Sequence, residues 1–381
     1  MLKVGIIGIG NTGNQVASIA KERLSIPVIA INSSDKDLET IEQDIPKFLI
    51  EGKDGSTRGA GKDRKLAKKY LKNSIVSLTS HDEVQKMVND VDICFVVSST
   101  GGGTGSGTAP IMAKILTQTF PDTKIILVGV TPVNDEAYSS HVNTLEYLDE
   151  LYEKLEGQTY MLYDNDKLSP ASTYKILNKV NDEIISDIDV IRCKYNYSTK
   201  LDSIDDRDMM RLVSFPGRLV ISRLEGFKET DCDSKTIEDM ILDNIRRNCH
   251  VEVQRDKKVM ASGIITNLSQ ALTDEFNDRI PKVKDTLGEP LHNFAHIYMN
   301  TDRKQPNNVF YIMAGLSPVN DKINKISDRI EELDEKRKIM QDDNALSDLN
   351  LSELTEKTAD KTEKSTDTSV DLNSIFNEFD M

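Results

Sequence analysis

The chain has 381 residues, enough for two domains, and a formal net charge of -15. Hydrophobic residues make up 38% of it and charged residues 29%, the proportions of an ordinary globular protein rather than a fibrous or unfolded one. A chain this acidic is repelled by nucleic-acid phosphates, so we expect no direct binding of DNA or RNA.

Export and membrane insertion are not indicated either. The sequence contains no uninterrupted apolar run of about 18 residues, the length that a membrane span needs. Its start runs directly into a strand-like segment, without the basic and apolar regions of a secretory signal. The four cysteines, Cys94, Cys193, Cys232 and Cys249, are far apart and typical of free thiols in a reducing compartment. We therefore expect a cytoplasmic protein without a membrane partner.

The first half of the chain alternates short apolar runs with amphipathic stretches. Continuous apolar runs are typical of strands that are covered on both faces, as in a parallel sheet. The alternation predicts a doubly wound α/β domain over residues 1–171. The predicted strands are 4–7, 28–31, 93–97, 125–130 and 160–163, and the predicted helices are 14–24, 108–119 and 138–155.

The second half begins with a long helix at 172–197, whose apolar residues recur near the helical period and predict a linking element packed between two bodies. Residues 198–318 predict a smaller α/β domain with a four-stranded sheet. Its predicted strands are 219–222, 259–266, 294–299 and 309–315, and its predicted helices are 236–248 and 269–287. A C-terminal helix at 319–340 completes the folded part of the chain.

Residues 341–381 form an acidic segment rich in Ser, Thr and Asn. Such a segment cannot bury enough apolar area to offset the entropy of ordering, which predicts a disordered acidic tail. At its end, Leu372, Ile375, Phe376 and Phe379 recur at i, i+3, i+4 and i+7. This spacing predicts a short amphipathic docking peptide, and a solubilising tail without a partner is the alternative.

Two glycine-rich loops carry the chemistry of the first domain. Gly8-Ile9-Gly10-Asn11-Thr12-Gly13 lies between a strand and a helix, where glycines let backbone N–H groups approach an anion. This loop also fits the NAD site of an oxidoreductase, although Asn32 stands where that site needs an acidic residue. The second loop, Gly-Gly-Gly-Thr-Gly-Ser-Gly at 101–107, predicts backbone amides wrapped around a polyphosphate. It lacks the lysine of a Walker A loop.

The second loop resembles the signature of the tubulin/FtsZ GTPases, and the resemblance extends over roughly residues 1–340. It implies GTP or GDP as the ligand, with Mg²⁺ held mainly by phosphates and water and no metal site of the protein's own. The positions that match the family's phosphate and ribose loops are Gly10, Asn11, Thr12, Asn14, Gln15, Asn32, Gly59, Ala60, Gly61, Gly101, Gly102, Gly103, Thr104, Gly105, Ser106, Gly107, Thr131, Asn165 and Asp166.

The same resemblance assigns the guanine and the reaction. Asn181 and Asp182 match the pair that reads the base, since an amide and a carboxylate complement the guanine edge. Asp202 and Asp205 match the family's catalytic loop, which enters the nucleotide site of the neighbouring subunit and orients the attacking water. Lys200 stands where the family has Asn. The resemblance thus implies a head-to-tail filament in which one subunit completes the site of the next.

Within the family, the sequence resembles the TubZ group of plasmid and phage proteins more than the FtsZ group. Its first loop reads Gly-Asn-Thr-Gly-Asn-Gln, and a basic stretch follows the third loop at 62–72. The resemblance implies DNA segregation by filaments that reach DNA through a DNA-binding adaptor (TubR-like) bound at the C-terminal region. An FtsZ-like role in cell division is the alternative, and an NAD-dependent oxidoreductase is a more distant one.

Overall fold

The structure is a computed structural model that describes residues 1–52, 55, 57–168, 173–192, 203–253, 258–300, 306–343 and 371–379. Ten strands within these ranges form one sheet in the order β3-β2-β1-β4-β5-β6-β7-β10-β8-β9, numbered along the chain. Helices cover both of its faces. Across the same ranges, no helix combines the length and the apolar content needed to cross a bilayer.

The first half confirms the predicted doubly wound α/β arrangement. Its strands are all parallel, and each is followed by helical or loop segments that return to the same end of the sheet. The elements are β1 (Val4–Ile9), α1 (Gly10–Leu24), β2 (Val28–Asn32), α2 (Asp35–Glu39), β3 (Lys47–Leu49), α3 (Arg64–Thr79), α4 (Asp82–Asp90), β4 (Ile93–Ser99), α5 (Thr104–Thr119), β5 (Lys124–Thr131), α6 (Tyr138–Lys154) and β6 (Thr159–Asp164). A 3₁₀ turn at Asn165–Leu168 follows.

The second half contains the four predicted strands. β10 runs antiparallel to β7 and β8, and β8 runs parallel to β9. The elements are α7 (Thr173–Ile191), α8 (Asp206–Val213), β7 (Gly217–Phe227), α9 (Ile237–Arg247), β8 (Ala261–Ser269), α10 (Gln270–Leu287), β9 (His292–Asn300), β10 (Asn307–Leu316), α11 (Asn320–Asp343) and α12 (Leu372–Glu378).

The two halves share one sheet instead of two separate ones. β6 and β7 pair in parallel through Thr159–Gly217 and Tyr160–Arg218, which makes the four-stranded part a continuation of the parallel part. The predicted domain boundaries at 171, 197, 318 and 340 stay predictions, since no break in the sheet marks them.

Helix α7 packs across this junction. Val180, Ile184 and Ile188 are at most 1% exposed and belong to one apolar cluster with Phe95 of β4 and Phe310 of β10. Their spacing is the helical repeat that the sequence shows, so one face of α7 is covered by strands of both halves. The helix therefore occupies the linking position that its composition predicts.

A buried polar cluster fixes α7 to the strands. Asp187 is 0% exposed, and it accepts hydrogen bonds from Tyr163 Oη at 2.8 Å and from Arg223 Nε at 2.7 Å. His250 Nε2 lies 2.8 Å from the same carboxylate. Burial is the largest influence on the pKa of Arg223 and lowers it, but the carboxylates of Asp187, Glu183 and Glu225 outweigh burial and raise the pKa. The guanidinium therefore stays charged and holds its partners together.

At the end of the chain, α11 continues through Asp343 and residues Leu372–Glu378 form α12. Residues 344–370 and 380–381, which make up most of the predicted disordered tail, lie outside the described ranges. α12 contacts α5. Its apolar side chains Ile375 and Phe376 are buried, as is the adjoining Phe379. The amphipathic spacing seen in the sequence is thus used for a contact within the chain.

Candidate functional site

The two glycine-rich loops meet where the adjacent strands β1 and β4 end. Gly10 has φ +71°, and a Cβ at Gly10 would come within 3.2 Å of the backbone nitrogen of Gly105. A Cβ at Gly105 would come within 2.9 Å of the carbonyl oxygen of Ile9. The loops therefore pack backbone against backbone, which explains why both positions are glycine.

Two helices begin at this junction. α1 starts at Gly10 and α5 starts at Thr104, and neither preceding residue, Ile9 or Gly103, makes a side-chain capping hydrogen bond. The first N–H groups of a helix have no acceptor within the helix and carry partial positive charge. Two such ends on neighbouring strands make a site for the anionic oxygens of a polyphosphate.

A cleft of ≈ 370 Å³ is lined by these helix ends and by the loops around them. Ser33 Oγ and Thr104 Oγ1 lie 2.6 Å apart and connect the loop after β2 to α5. The structure brings together, in the lining of this cleft, the predicted residues Gly10, Asn11, Thr12, Asn32, Gly59, Ala60, Gly61, Gly102, Gly103, Thr104 and Gly105.

The loop before α3 forms one wall of the cleft in an unusual backbone conformation. Gly59 and Gly61 have φ +83° and +55°, and Lys62 has φ 65°, a value that is uncommon for a residue with a side chain. Lys62 Nζ donates a hydrogen bond to Ser140 Oγ at 2.7 Å. Residues in such conformations persist only where their surroundings fix them, and they cluster at ligand sites.

The buried side chain of Asn143 contacts the backbone of the second glycine-rich loop. Asn143 Nδ2 lies 2.9 Å from the carbonyl oxygen of Lys62, 3.2 Å from that of Gly101 and 2.9 Å from that of Gly102. Arg64 donates to the carbonyl oxygen of Asn143 at 2.7 Å and to Glu150 Oε2 at 2.5 Å. This group joins three loop carbonyls to α3 and α6.

Sequence reasoning missed Asn143, Arg64 and Glu150. The available signal is Arg64, because the spacing 64, 67, 71 and 75 marks the buried face of α3 and a charged residue on that face needs a buried partner. Arg64 and Glu150 have side chains that are 2% and 8% exposed, and Lys68 Nζ donates to the same carboxylate at 2.7 Å.

Several predicted residues support the cleft without lining it. Asn14 Oδ1 accepts a hydrogen bond from the Ile31 N–H at 3.2 Å, and Gln15 Nε2 donates to Asn11 Oδ1 at 3.4 Å. The Ser106 hydroxyl donates to the carbonyl oxygen of Gly102. Gly107 is packed too closely for a side chain, since a Cβ would come within 2.8 Å of Arg64 O, and Gly101 is packed tightly, with a Cβ within 3.1 Å of Ser140 O.

The predicted ribose-side residues lie at the end of β5 and directly after β6, next to a different cavity. Thr131 Oγ1 donates to Asp164 Oδ1 at 3.0 Å, and Asp166 Oδ1 accepts the Asn134 N–H at 3.0 Å. Asn165 is 7% exposed. Asp166 also lines a cavity of ≈ 460 Å³, which is larger than the glycine-lined cleft and includes the start of α11 at Asn320.

The structure does not bring the predicted guanine pair to the cleft. Asn181 is 2% exposed, and Asp182 forms an ion pair with Arg23 at 2.8 Å. Arg23 lies near the C-terminal end of α1, about 18 Å along the helix axis from Asn11. Asn178, one turn nearer the start of α7, has an exposed side chain.

Of the two predicted catalytic aspartates, Asp205 lies far from the cleft of its own chain. Asp202 is outside the described residues, as is Lys200, whereas Asp205 is exposed and caps α8 by accepting the Asp208 N–H at 2.9 Å. Its neighbour Asp206 pairs with the Met1 ammonium group at 3.0 Å. Met1 precedes β1, whose six residues span about 20 Å before the phosphate loop begins. Asp205 therefore lies at the opposite end of the sheet from the cleft.

The cleft lining fits a magnesium ion held mainly by phosphates. Among the described residues, no group of three or more His, Cys, Asp or Glu side chains is placed to hold a metal ion. Asp37 lines the cleft and lies 3.3 Å from Asn32 Nδ2. Mg²⁺ sites commonly combine one or two carboxylates with substrate phosphates, which this lining permits.

The part of the chain that builds the cleft is similar to a known family. Residues 3–172 match the model of the GTPase domain of the tubulin/FtsZ family. The match covers α1, α5 and every loop that lines the cleft.

Relatives of this region include tubulin-like and cell division proteins. The tubulin-like protein CetZ of Pyrococcus horikoshii is 27% identical over 187 residues, which cover 48% of this chain and 50% of that protein. The cell division protein FtsZ 1 of Methanocaldococcus jannaschii is 27% identical over 243 residues, 62% of each chain. The chain spans about half the length of the Pyrococcus relatives that it matches.

Solved structures share the whole fold, including the second half. TubZ of Bacillus thuringiensis serovar israelensis, in a GTPγS-form protofilament, has a TM-score of 0.71 and 17% identity over 90% of this chain and 94% of that one. CetZ2 of Haloferax volcanii, a GTPγS-bound protofilament, has a TM-score of 0.70 and 17% identity, and the match covers 87% of this chain and 100% of that one. The TubZ of Clostridium botulinum phage c-st has a TM-score of 0.68 and 18% identity, and the match covers 87% of this chain and 98% of that one. At these identities the likeness establishes the fold.

Proposed function

We propose that the protein is a GTPase that assembles head to tail into filaments and hydrolyses GTP at the contact between subunits. One observation carries the proposal: the cleft and Asp205 lie at opposite ends of the same sheet, separated by the length of β1, which is about 20 Å. A single chain thus has a phosphate site at one end and exposed carboxylates at the other. Stacking in one direction would bring the two together.

The phosphate site would act through the backbone. The N–H groups at the starts of α1 and α5 would donate to phosphate oxygens, and Thr104 and Thr12 would add hydroxyl donors. The loop at 59–61 lies opposite α5 and would contact the terminal phosphate. A bound Mg²⁺ would neutralise phosphate charge, with Asp37 as the nearby carboxylate.

We propose that α7 reads the guanine. Of its amides, Asn181 is buried and Asn178 is exposed one turn nearer the 3₁₀ turn that α7 contacts. We therefore place the base contact of α7 at Asn178 instead of at the predicted Asn181 and Asp182. Affinities of Asn178→Ala and Asn181→Ala for GTP and ATP test this placement: a selectivity for GTP that Asn178→Ala leaves unchanged contradicts it.

Hydrolysis would depend on carboxylates of the adjacent subunit. Asp205 of one subunit, with Asp202, would orient the water that attacks the terminal phosphate in the cleft of the next. In one isolated chain, both the fixed helix cap and the length of β1 keep Asp205 away from its own cleft.

Asp205→Asn is the variant that tests this role. Asparagine is as good an N-cap as aspartate, so α8 should keep its start while the charge is lost. We expect GTP binding and assembly to persist, turnover to fall by about 100-fold or more, and filaments to stop disassembling. Phosphate release and light scattering on the same samples measure both.

Asp206→Asn is the matched control, because it removes an adjacent carboxylate whose partner is the chain's own N-terminus. Its turnover should equal that of the wild type. If Asp205→Asn also hydrolysed GTP at the wild-type rate, Asp205 would have no role in hydrolysis.

We further propose that the filaments segregate DNA through a basic adaptor. The net charge of -15 disfavours direct contact with DNA, and the first loop resembles that of the TubZ group. The FtsZ-like role is supported by the similarity to FtsZ 1. Deleting the gene separates the two: loss of the replicon that carries it supports segregation, whereas failed septation with stable replicons supports division.

A further inference from the structure

Helix α12 owes its structure to the surface on which it lies. A helix of seven residues is not stable alone in water. Ile375, Phe376 and Phe379 are 2%, 5% and 0% exposed and belong to the apolar cluster that includes α3, α5 and α6. The partly buried Leu372 packs against the same cluster. All four apolar positions of the segment are therefore in use.

Lysines surround the aromatic rings of this segment. Lys72 Nζ lies 5.3 Å from the ring centre of Phe376. Lys154 and Lys114 lie 5.4 Å and 5.8 Å from that of Phe379. An ammonium group within about 6 Å of an aromatic face is attracted to it. These lysines come from α3, α5 and α6, so the surface is built from three elements that are distant in sequence.

Two polar contacts fix the end of the segment. Lys68 Nζ donates to the main-chain oxygen of Phe379 at 2.9 Å, and Lys114 forms an ion pair with Glu378. In a chain with a net charge of -15, a surface that presents four lysines to one segment is complementary to an acidic ligand. The segment supplies that acidity through Asp371 and Glu378.

We propose that α3, α5 and α6 form a binding site for an acidic amphipathic helix, and that its ligand is the chain's own C-terminal segment, residues 371–379. Three large apolar side chains fill the site, while Lys68 and Lys114 fix the orientation of the segment. Because the ligand is part of the same chain, docking does not depend on protein concentration. The inference does not rest on GTP binding or hydrolysis.

Hydrogen–deuterium exchange of the full chain, with GDP and below the concentration of assembly, tests the site. The N–H groups of Ile375 and Phe379 donate to the carbonyl oxygens of Asp371 and Ile375. We expect them to exchange at least about tenfold more slowly than in a synthetic peptide of residues 371–381, since that peptide is too short to hold a helix. Free-peptide rates in the full chain would overturn the proposal.

Phe379→Ala should abolish this protection, because it removes the most buried side chain of the segment. Asn377→Ala is the control within the same helix, since Asn377 is exposed and should leave protection unchanged. Protection that survives Phe379→Ala would contradict the site, and so would protection that rises with protein concentration, because the ligand would then come from another molecule.

A charge exchange tests the lysine surface itself. Lys114→Glu and Glu378→Lys should each lower the protection of the segment, because like charges then face each other. The double variant should recover most of it. Additive losses in the double variant would show that the two side chains do not meet and would overturn the proposed orientation.

Discussion

Gly105 shows how one residue sets the geometry of the glycine-lined cleft. Its missing side chain allows α5 to begin against the carbonyl oxygen of Ile9 and the side chain of Ser98. Gly102, in the same loop, has only Ser99 Oγ at 4.0 Å from a Cβ placed there, which leaves room for a methyl group. The two glycines therefore serve different purposes, one in packing the loops and one at the open face of the cleft.

Substitution by alanine should separate these purposes. We expect Gly105→Ala to lower the free energy of unfolding without nucleotide by about 1–3 kcal/mol, because the added methyl group forces packed backbones apart. Gly102→Ala should change it by less than about 0.5 kcal/mol. Chemical denaturation of both variants measures the difference, and equal stability would show that the loops are not packed as described.

Residue identities in the cleft were predictable where glycine and hydroxyl side chains repeat in a loop. Gly10, Thr104 and Gly105 line the cleft as the loop pattern predicts. Asn143 was not predictable, because its contacts with loop carbonyls depend on how α6 packs beside α5. The exposed Asp205 could be found by resemblance, but its distance from the cleft follows only from the three-dimensional fold.

At the scale of elements, Asp187 controls how α7 is attached. Its carboxylate binds Tyr163, Arg223 and His250 with no exposure to solvent. Removing one partner of a buried charged group leaves the others without compensation. The attachment of α7 to the strands therefore depends mainly on the side chain of Asp187.

We expect Asp187→Asn to lower the free energy of unfolding by about 3–5 kcal/mol, because the Arg223 charge would remain buried without its main partner. Glu225→Gln is the control, since Glu225 also pairs with Arg223 but its side chain is 38% exposed. That variant should lose less than about 1 kcal/mol. Urea denaturation distinguishes them, and losses of similar size would argue against the special position of Asp187.

The long, strongly patterned elements were predictable and the short ones were not. β4, β5 and α7 stand out because continuous apolar runs and helical periodicity mark them. β3 has three residues and gives no pattern of its own. α3 was not predictable as a helix, because its many basic residues obscure the apolar residues of its buried face.

At the scale of the whole molecule, separated half-sites predict complementation between two inactive variants. Gly105→Ala should lose GTP binding but keep Asp205, and Asp205→Asn should keep GTP binding but lose the carboxylate. Mixed filaments should therefore hydrolyse GTP at the contacts where a Gly105→Ala subunit meets the cleft of an Asp205→Asn subunit. Phosphate release from the mixture measures this, and co-sedimentation confirms that both variants are incorporated.

Dilution is the control for the same prediction. Turnover per molecule in the wild type should vanish below the concentration at which filaments form, because no neighbour then supplies the carboxylate. A mixture no more active than its components, or a turnover indifferent to dilution, would contradict the half-site arrangement.

Glu150 links the C-terminal segment to the second glycine-rich loop. One of its carboxylate oxygens binds Arg64, which holds Asn143 beneath the phosphate loop, and the other binds Lys68, which holds the last carbonyl of the docked segment. Any rearrangement of that loop on loss of a phosphate would thus be transmitted to the C-terminal segment through the Glu150 carboxylate. Thermodynamic reciprocity then demands that any factor by which bound nucleotide weakens docking of the tail equals the factor by which release of the tail strengthens nucleotide binding. A partner that captured the tail would, by that equality, also change the affinity of each subunit for its nucleotide.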